Sequence, residues 1–434
     1  MTMQSLTDPA AAAELLGRFQ TVRARSVALA VPLSAEDCIA QSMPDASPTK
    51  WHLAHTTWFF ETFLLEAHET GFAPFMPVFR VLFNSYYNGV GAKHPRAQRG
   101  LLTRPSLTEV LAYRTNVDER MVRWLSTAAA DAAPRALVEL GLQHEQQHQE
   151  LLLTDVLHLL SCNPTEPAYA PVPGLRDALL TQGAQPLDWV EFPGGMVELG
   201  HTGAGFCFDN ELPHHRSFLT PYALGARLVN NAEYAAFVQD GGYQMPALWL
   251  AEGWDWLSSQ QIRQPLYWRR GGDADHADWR VFGLHGARPL AEVAQAPVSQ
   301  LSYFEADAYA RWAGARLPTE IEWEAAAALT AGEALAAVGS ARSGLAPQPA
   351  EGTGMRELFG EVWQWTQSSY APYPGFRAAE GAVGEYNGKF MVNQYVLRGS
   401  SCATPPGHAR LSYRNFFPTS ARWQFSGLRL ARDL

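Results

Sequence analysis

The sequence predicts a multidomain protein in which a four-helix bundle is followed by an irregular α+β domain. A length of 434 residues suits two domains of ordinary size. Roughly the first 160 residues have apolar positions at helical spacing, whereas the sequence after residue 187 has short β-like segments and many turns. The stretch between them is rich in proline. We therefore expect a helical domain over 8–161, a linker over 162–186 and a second domain over 187–434.

Each helix of the bundle is predicted by its apolar spacing and by residues typical of helix ends. The second helix has Ser47 as a candidate N-cap and Pro48 at the first helical position. The third follows Ser106, and the fourth starts at Pro134 and continues for about seven turns. Four long helices in succession favour a bundle. The four segments are 8–30, 47–69, 106–128 and 134–160.

The second domain shows only two clear helices from its sequence. One is "SYFEADAYARWAG", which a capping box of Ser302 and Glu305 opens, and the other is "TEIEWEAAAAL", which Thr319 and Glu322 open in the same way. The remaining text is short and strand-like with Gly, Trp and Asn turns, so an α+β domain with long loops is expected.

Composition limits which binding partners and which cellular location are expected for this protein. A net charge of −10 without a Lys/Arg-rich block argues against nucleic acid or an anionic membrane as the main partner, and favours small molecules. The chain has no run of eighteen apolar residues, and its N-terminus lacks the pattern of a signal peptide, so a cytoplasmic protein is expected. The four cysteines lack C-x-x-C spacing and are expected to be free thiols.

Three histidines predict a metal centre inside the bundle. His144 and His148 are four residues apart, so their rings lie one above the other on a helix face that also carries Gly141. His55 lies on the inward stripe of the second helix, whereas His52 is nearer the edge of that stripe and is the weaker ligand candidate. Three neutral nitrogen donors suit Zn, Fe, Cu or Ni and leave coordination positions open. A core histidine bonded to a carbonyl or carboxylate is the competing interpretation for any one of them.

The segment "HEQQH" also matches the zinc-protease pattern H-E-x-x-H. In that chemistry Glu145 would face a metal-bound water as general base, and the third ligand normally lies downstream. Here the third candidate, His55, lies upstream on another helix. A zinc hydrolase is therefore kept as an alternative. Gln147 offers a neutral amide suited to a polar ligand near the metal.

Several motifs, taken in order, resemble one family. They are "KWHLAHTTWFFE", "FNSYYN", "HEQQHQE", "RLPTEIEWEAAA", "GEVWQWTQSSYAPYPGF", "YVLRGSS" and "SYRNFFPTSARWQFSGLRLARD". Together they are similar to the sulfoxide synthases of ergothioneine biosynthesis, with their close relatives the selenoneine synthases. This resemblance covers nearly the whole chain. It implies a DinB-like bundle, an α+β domain like that of formylglycine-generating enzymes and of C-type-lectin type, and an Fe(II) enzyme that uses O₂ to join sulfur to C2 of hercynine.

The resemblance also implies roles for residues at matching positions. It makes His55, His144 and His148 the iron ligands, and it makes Gln147, Asn415 and Phe416 contacts of hercynine. The pocket would then be shared between the domains. Because a trimethylammonium group cannot donate a hydrogen bond, aromatic faces would hold it, and Phe417 and Trp423 lie where the resemblance puts this pocket. Core packing is the alternative role for those two.

Tandem tyrosines follow the second helix, and three arginines come shortly after them. In the branch of the family that "FNSYYN" resembles, a tyrosine at this point delivers a proton or a hydrogen atom, so Tyr86 and Tyr87 are the catalytic candidates. Packing is the alternative. Arg96, Arg99 and Arg104 are candidates to clamp a substrate carboxylate, with solvated surface arginines as the alternative.

The motifs leave the donor open. Cysteine, γ-glutamylcysteine or, in selenoneine synthases, a selenosugar would each fit, with the sulfur reaction favoured. The second domain is not expected to inherit formylglycine generation, because that reaction needs a pair of copper-binding cysteines near the C-terminal end and only Cys402 lies there. A non-catalytic protein that binds hercynine or a thiol is the remaining alternative.

Overall fold

The computed structural model describes residues 9–127, 132–170, 186–203, 205–271, 279–332, 335, 338, 344–380 and 382–434. Two compact units account for the chain. The helical unit consists of the chain up to Cys162 together with Glu380–Tyr386, and the second unit consists of Asn163–Ala379 and Asn387–Leu434. Of the predicted linker, residues 171–185 lie outside the described residues. Among the described residues, none of the helices is long and apolar enough to cross a membrane.

The helical unit contains the four predicted helices. Their packing contacts join α1 to α7 and α6, and join α3 to α6 and α7, so α3 and α7 are neighbours. The four long helices are α1 (Pro9–Ala30), α3 (Thr49–Phe60), α6 (Leu107–Thr127) and α7 (Ala132–Ser161), and the shorter ones are α2 (Ala35–Ile39), α4 (Glu66–His68) and α5 (Phe79–Leu82).

Two details of α3 differ from the sequence-based expectation. Ser47 is not the N-cap: Pro48 holds that position without a side-chain hydrogen bond, and the backbone N–H of Ser47 donates to Asp155 instead. A π-helical turn, Glu61–Leu65, separates α3 from α4. The Glu61 carboxylate in that turn accepts hydrogen bonds from the Tyr113 hydroxyl and the Phe75 N–H. Tertiary hydrogen bonds accompany both differences.

The second unit is the predicted irregular α+β domain. Its sheets have the strand orders β1-β4-β12, β10-β9-β8-β11, β2-β3 and β5-β6-β7, and within them only the β11–β8 pair is parallel among the described residues. The strands are β1 (Trp189–Phe192), β2 (Gly195–Leu199), β3 (His215–Leu219), β4 (Tyr222–Gly225), β5 (Trp268–Arg270), β6 (Trp279–Gly283), β7 (Gly286–Pro289), β8 (Trp363–Ser369), β9 (Gln394–Arg398), β10 (Asn415–Pro418), β11 (Ser426–Gly427) and β12 (Ala431–Asp433).

The second unit has more helices than its sequence predicted. Both predicted capping boxes are present, at Ser302 before α10 (Tyr303–Trp312) and at Thr319 before α11 (Glu320–Thr330). Two further helices of nine residues each, α8 (Asn231–Gln239) and α9 (Ala251–Ser259), were not predicted. The helix α8 has a capping box of Asn230 and Glu233, whereas α9 begins without a side-chain cap. The four cysteines are free thiols, as predicted.

Candidate metal centre

Three imidazoles converge inside the helical unit. His55 comes from α3, while His144 and His148 come from successive turns of α7, which packs against α3. The ligand atoms that they offer lie within 4.8 Å of one another, and all three side chains are buried. The ring centroids are 4.6 to 5.0 Å apart. The convergence expected from the helix faces is therefore what the structure contains.

Three ring nitrogens of this triad lack the hydrogen-bond partner that a buried imidazole normally has among the described residues. Among the described residues, Nε2 of His55 and both ring nitrogens of His144 have no hydrogen-bond partner. Nδ1 of His55 lies 2.6 Å from the Phe83 carbonyl oxygen, to which only an N–H can donate, so Nε2 carries the lone pair. Unpaired buried nitrogens cost free energy unless something else binds them. The donor set fits a transition-metal ion.

Burial also sets the charge of these rings. It lowers the pKa of His144 to about 3. Burial, followed by the neighbouring His144, holds the pKa values of His55 and His148 well below their usual range. At neutral pH the three rings are therefore uncharged, which is the form that binds a metal ion.

Glu145, the acid of the HEQQH segment, is engaged elsewhere. One of its carboxylate oxygens accepts from Nη1 of Arg23 at 2.8 Å, and the other accepts from the Ser26 hydroxyl at 2.5 Å and from Nη2 of Arg114. Burial alone would raise the pKa of this carboxyl, but Arg114, Arg23 and the hydrogen bonds outweigh it and hold the pKa at about 2. A carboxylate held in this way is a poor general base, so the hydrolase alternative has no support here.

The weaker ligand candidate, His52, lies behind the triad. Its Nδ1 is 2.9 Å from Nδ1 of His148, and its Nε2 is 3.0 Å from a carboxylate oxygen of Asp155. Both His52 and Asp155 are buried. His52 therefore contacts a triad member and a carboxylate at the same time.

Tyr86 and Tyr87 stack on each other, with ring centroids 4.7 Å apart. The Tyr87 ring lies 5.6 Å from that of Trp58, which in turn stacks on His55 at 5.6 Å. Burial raises the pKa of both tyrosines well above the usual range, so both phenols keep their protons at neutral pH. The tandem pair thus adjoins Trp58, whose ring packs on His55.

A third tyrosine beside the triad escaped the sequence reasoning. Tyr386 belongs to the segment Glu380–Tyr386 of the helical unit, and its ring centroid lies 5.7 Å from that of His144. Its hydroxyl donates to the side-chain oxygen of Gln147, and its ring lies 6.1 Å from Tyr86. No local pattern in "GEYNGKF" signals this contact, because it joins positions 239 residues apart.

The residue before it, Glu385, anchors this segment. Its two carboxylate oxygens accept the backbone N–H groups of Asn88 at 3.0 Å and Gly89 at 2.6 Å, in the turn directly after the tandem tyrosines. One carboxylate thereby ties Tyr386 to the Tyr86–Tyr87 turn.

The three arginines proposed as a carboxylate clamp occupy different environments. Arg99 is buried, lies 3.4 Å over the Trp51 ring, and donates to the hydroxyls of Ser47 and Ser85. Arg96 donates to a backbone carbonyl, and the Arg104 side chain is 84% exposed. Burial, followed by the neighbouring Arg96, lowers the pKa of Arg99 to about 9, so these two cations lie close to each other. The carboxylate clamp stays a prediction.

The predicted hercynine contacts of the second unit lie on β10. Asn415 accepts the N–H of Phe416 through its side-chain oxygen at 2.9 Å. The Phe416 ring stacks on Tyr370 at 4.1 Å with an interplanar angle of 11°. Phe417, whose side chain points to the opposite face of the strand, packs edge-on against Trp423 at 6.2 Å.

Known proteins match nearly the whole chain. Residues 18–152 match the DinB superfamily, and residues 178–434 match the sulfatase-modifying factor enzyme 1-like domain. The hercynine oxygenase of Mycolicibacterium smegmatis is 32% identical over 420 residues, which cover 91% of this chain and 93% of that protein. That of Mycobacterium tuberculosis is 31% identical, with 95% of this chain and 97% of that protein covered.

The chain belongs to the hercynine oxygenase family.

Membership of the hercynine oxygenase family makes the chain an enzyme of the oxygenase type, and the buried triad makes it metal-dependent. The second unit has separate relatives. The formylglycine-generating enzyme of Mycobacterium tuberculosis is 31% identical over 232 residues, which cover 42% of this chain and 75% of that protein. The hercynine oxygenase fold thus combines a metal-binding bundle with a domain that also occurs in other enzymes.

Proposed function

We propose that this protein is a non-haem Fe(II) enzyme that uses O₂ to join a thiol sulfur to C2 of the hercynine imidazole and to oxidise that sulfur to a sulfoxide. The observation that carries the proposal is the triad of buried, uncharged imidazoles, with free nitrogen atoms on His55 and His144, in a chain related over nearly its whole length to hercynine oxygenases.

The proposed reaction balances without a further reductant. The C2–H bond of hercynine and the S–H bond of the thiol break, and a C–S bond forms. One oxygen atom of O₂ ends on sulfur, and the other leaves as water with the two released hydrogens. O₂ accepts the four electrons. Iron, when bound by His55, His144 and His148, supplies the redox change that this oxidation needs and that zinc lacks.

The surrounding side chains support the handling of hercynine and of protons. Gln147 accepts the Tyr386 hydroxyl through its oxygen, which leaves its amide N–H groups to donate to a substrate. Tyr87 is our candidate to deliver a proton or a hydrogen atom, because burial keeps its phenol protonated and its ring packs on Trp58 beside His55. Tyr86 stacks on Tyr87 and shares this candidacy. Asn415, Phe416 and Phe417 remain proposed hercynine contacts.

The test is an assay of anaerobically Fe(II)-loaded protein with hercynine and O₂, with one donor at a time. The donors are cysteine, γ-glutamylcysteine and a selenosugar, and the product is identified by mass. A hercynyl sulfoxide with either thiol supports the proposal, whereas product only with the selenosugar would favour selenoneine synthesis. Unchanged substrates with every donor, despite bound iron, would favour a ligand-binding protein.

A further inference from the structure

His52 and Asp155 form a hydrogen-bonded chain that ends on one member of the triad. Asp155 lies on α7 seven residues, or about two turns, after His148, and so on the same face of the helix. Its carboxylate oxygen accepts the Ser47 N–H at 2.8 Å and lies 3.0 Å from Nε2 of His52, whose Nδ1 lies 2.9 Å from Nδ1 of His148. All of these groups are buried.

With Asp155 ionised and His52 neutral, this hydrogen-bonded chain sets the tautomers of both rings. An ionised carboxylate only accepts hydrogen bonds, so Nε2 of His52 must carry a hydrogen. In a neutral His52, Nδ1 then carries the lone pair. A hydrogen bond between two nitrogens needs one N–H and one lone pair, so Nδ1 of His148 must carry the hydrogen. The free lone pair of His148 is thereby placed on Nε2.

The opposite direction of the His52–His148 hydrogen bond would leave the triad without its third ligand atom. If Nδ1 of a neutral His148 accepted from His52, the single hydrogen of His148 would lie on Nε2, which could then not bind a metal ion. Only the first arrangement makes Nε2 of His148 a ligand, in parallel with His55, whose tautomer the Phe83 carbonyl sets.

We infer that His52 is a positioning residue. It donates to Asp155 through Nε2 and accepts from His148 through Nδ1, and so holds this ligand in its metal-binding tautomer and orientation. This inference rests on the metal centre of the proposed function. It corresponds to the carboxylate–histidine–metal arrangement with one imidazole inserted between the carboxylate and the ligand. Asp155 is itself held by Ser47, whose hydroxyl accepts from Arg99.

Metal affinity of the full-length protein tests the inference without turnover. We would titrate the metal-free protein with Co(II) and follow the visible absorption of the bound ion. His52→Phe keeps a flat ring but removes both nitrogens, and we expect it to weaken Co(II) binding by about 10- to 100-fold and to shift the absorption band. Asp155→Asn is expected to weaken binding by a smaller factor. His52→Gln retains an acceptor for His148 and should restore part of the loss.

His158→Gln is the matched control, because His158 lies on the same helix and its Nδ1 contacts the Ser42 hydroxyl at 2.7 Å. Its Co(II) affinity should equal that of the parent. Circular dichroism of each variant would show that the helices are intact. Nitrogen-15 spectra of Zn(II)-loaded protein should show a protonated Nδ1 at His148 in the parent.

The outcomes separate this inference from the metal centre itself. Affinities of His52→Phe and Asp155→Asn within twofold of the parent would overturn the inference alone. An equal loss in His158→Gln would do the same, because it would trace the effect to the helix rather than to the hydrogen-bonded chain. A parent protein that binds no Co(II) would overturn the metal centre and, with it, this inference.

Discussion

Replacement of Glu145 by glutamine should destabilise the helical unit strongly while sparing the metal. The carboxylate is fully buried between the guanidinium groups of Arg23 and Arg114, which are themselves only 2% exposed. The variant loses the negative charge that both cations face. Loss of one partner of a buried ion pair costs about 3–5 kcal/mol, because the remaining charge stays buried without its full compensation.

The pKa of Glu145 gives a second estimate of the same size. The difference between its ordinary value of 4.5 and about 2 in the folded protein corresponds to about 3 kcal/mol at neutral pH. Because the folded pKa is the lower one, this stability is present above pH 4.5 and is lost as the pH falls toward 2. The parent should therefore lose stability over that window, and Glu145→Gln should lose less.

Urea unfolding followed by far-ultraviolet circular dichroism measures the effect, since the helical signal reports mainly on the bundle. Glu139→Gln is the matched control: Glu139 lies on the same helix and pairs with Arg18, whose side chain is 43% exposed. A pair this exposed contributes at most about 1 kcal/mol. Equal unfolding midpoints for the two variants, or loss of metal without loss of stability in Glu145→Gln, would refute the structural role of Glu145.

Four further outcomes are expected. His148→Ala should lose most of its bound metal, as measured by elemental analysis, and full occupancy would contradict its assignment as a ligand. Tyr87→Phe should retain metal but slow or redirect the oxidation, and parent rates in both this variant and Tyr86→Phe would remove these tyrosines from the mechanism. Glu385→Ala should raise KM for hercynine with unchanged metal content, because it releases the segment that carries Tyr386; an unchanged KM would argue against that anchor. Zinc-loaded protein should be inactive with O₂, whereas turnover with zinc alone would revive the hydrolase interpretation.

Local periodicity explains how much of the candidate site could be predicted. The spacing of four residues between His144 and His148 places them on one helix face whatever the rest of the chain does. The same rule puts Glu145 about 100° round the helix from His144, yet it does not say what lies there. Only the packed bundle shows that Arg23 and Arg114 occupy that side.

Contacts between distant segments explain features of the site that the sequence did not predict. Tyr386 reaches His144 and Gln147 because the segment Glu380–Tyr386 returns to the helical unit. Arg99 is buried over Trp51, which excludes the solvated-surface alternative, while its role in a substrate clamp stays a prediction. The helix α9 begins without a side-chain cap, so this local signal is missing, whereas α8 follows a capping box of Asn230 and Glu233 that the sequence analysis did not use.

By itself, the sequence determined the two kinds of domain, the four long helices and the inward face that carries the three histidines, because helix period and capping are local properties. Only the tertiary structure shows that His52 contacts Asp155, that Glu145 forms buried ion pairs with arginines and that a third tyrosine lies beside the triad. Each of these contacts depends on which distant residues are buried together. A buried environment strengthens hydrogen bonds and charge interactions, because its dielectric constant is low.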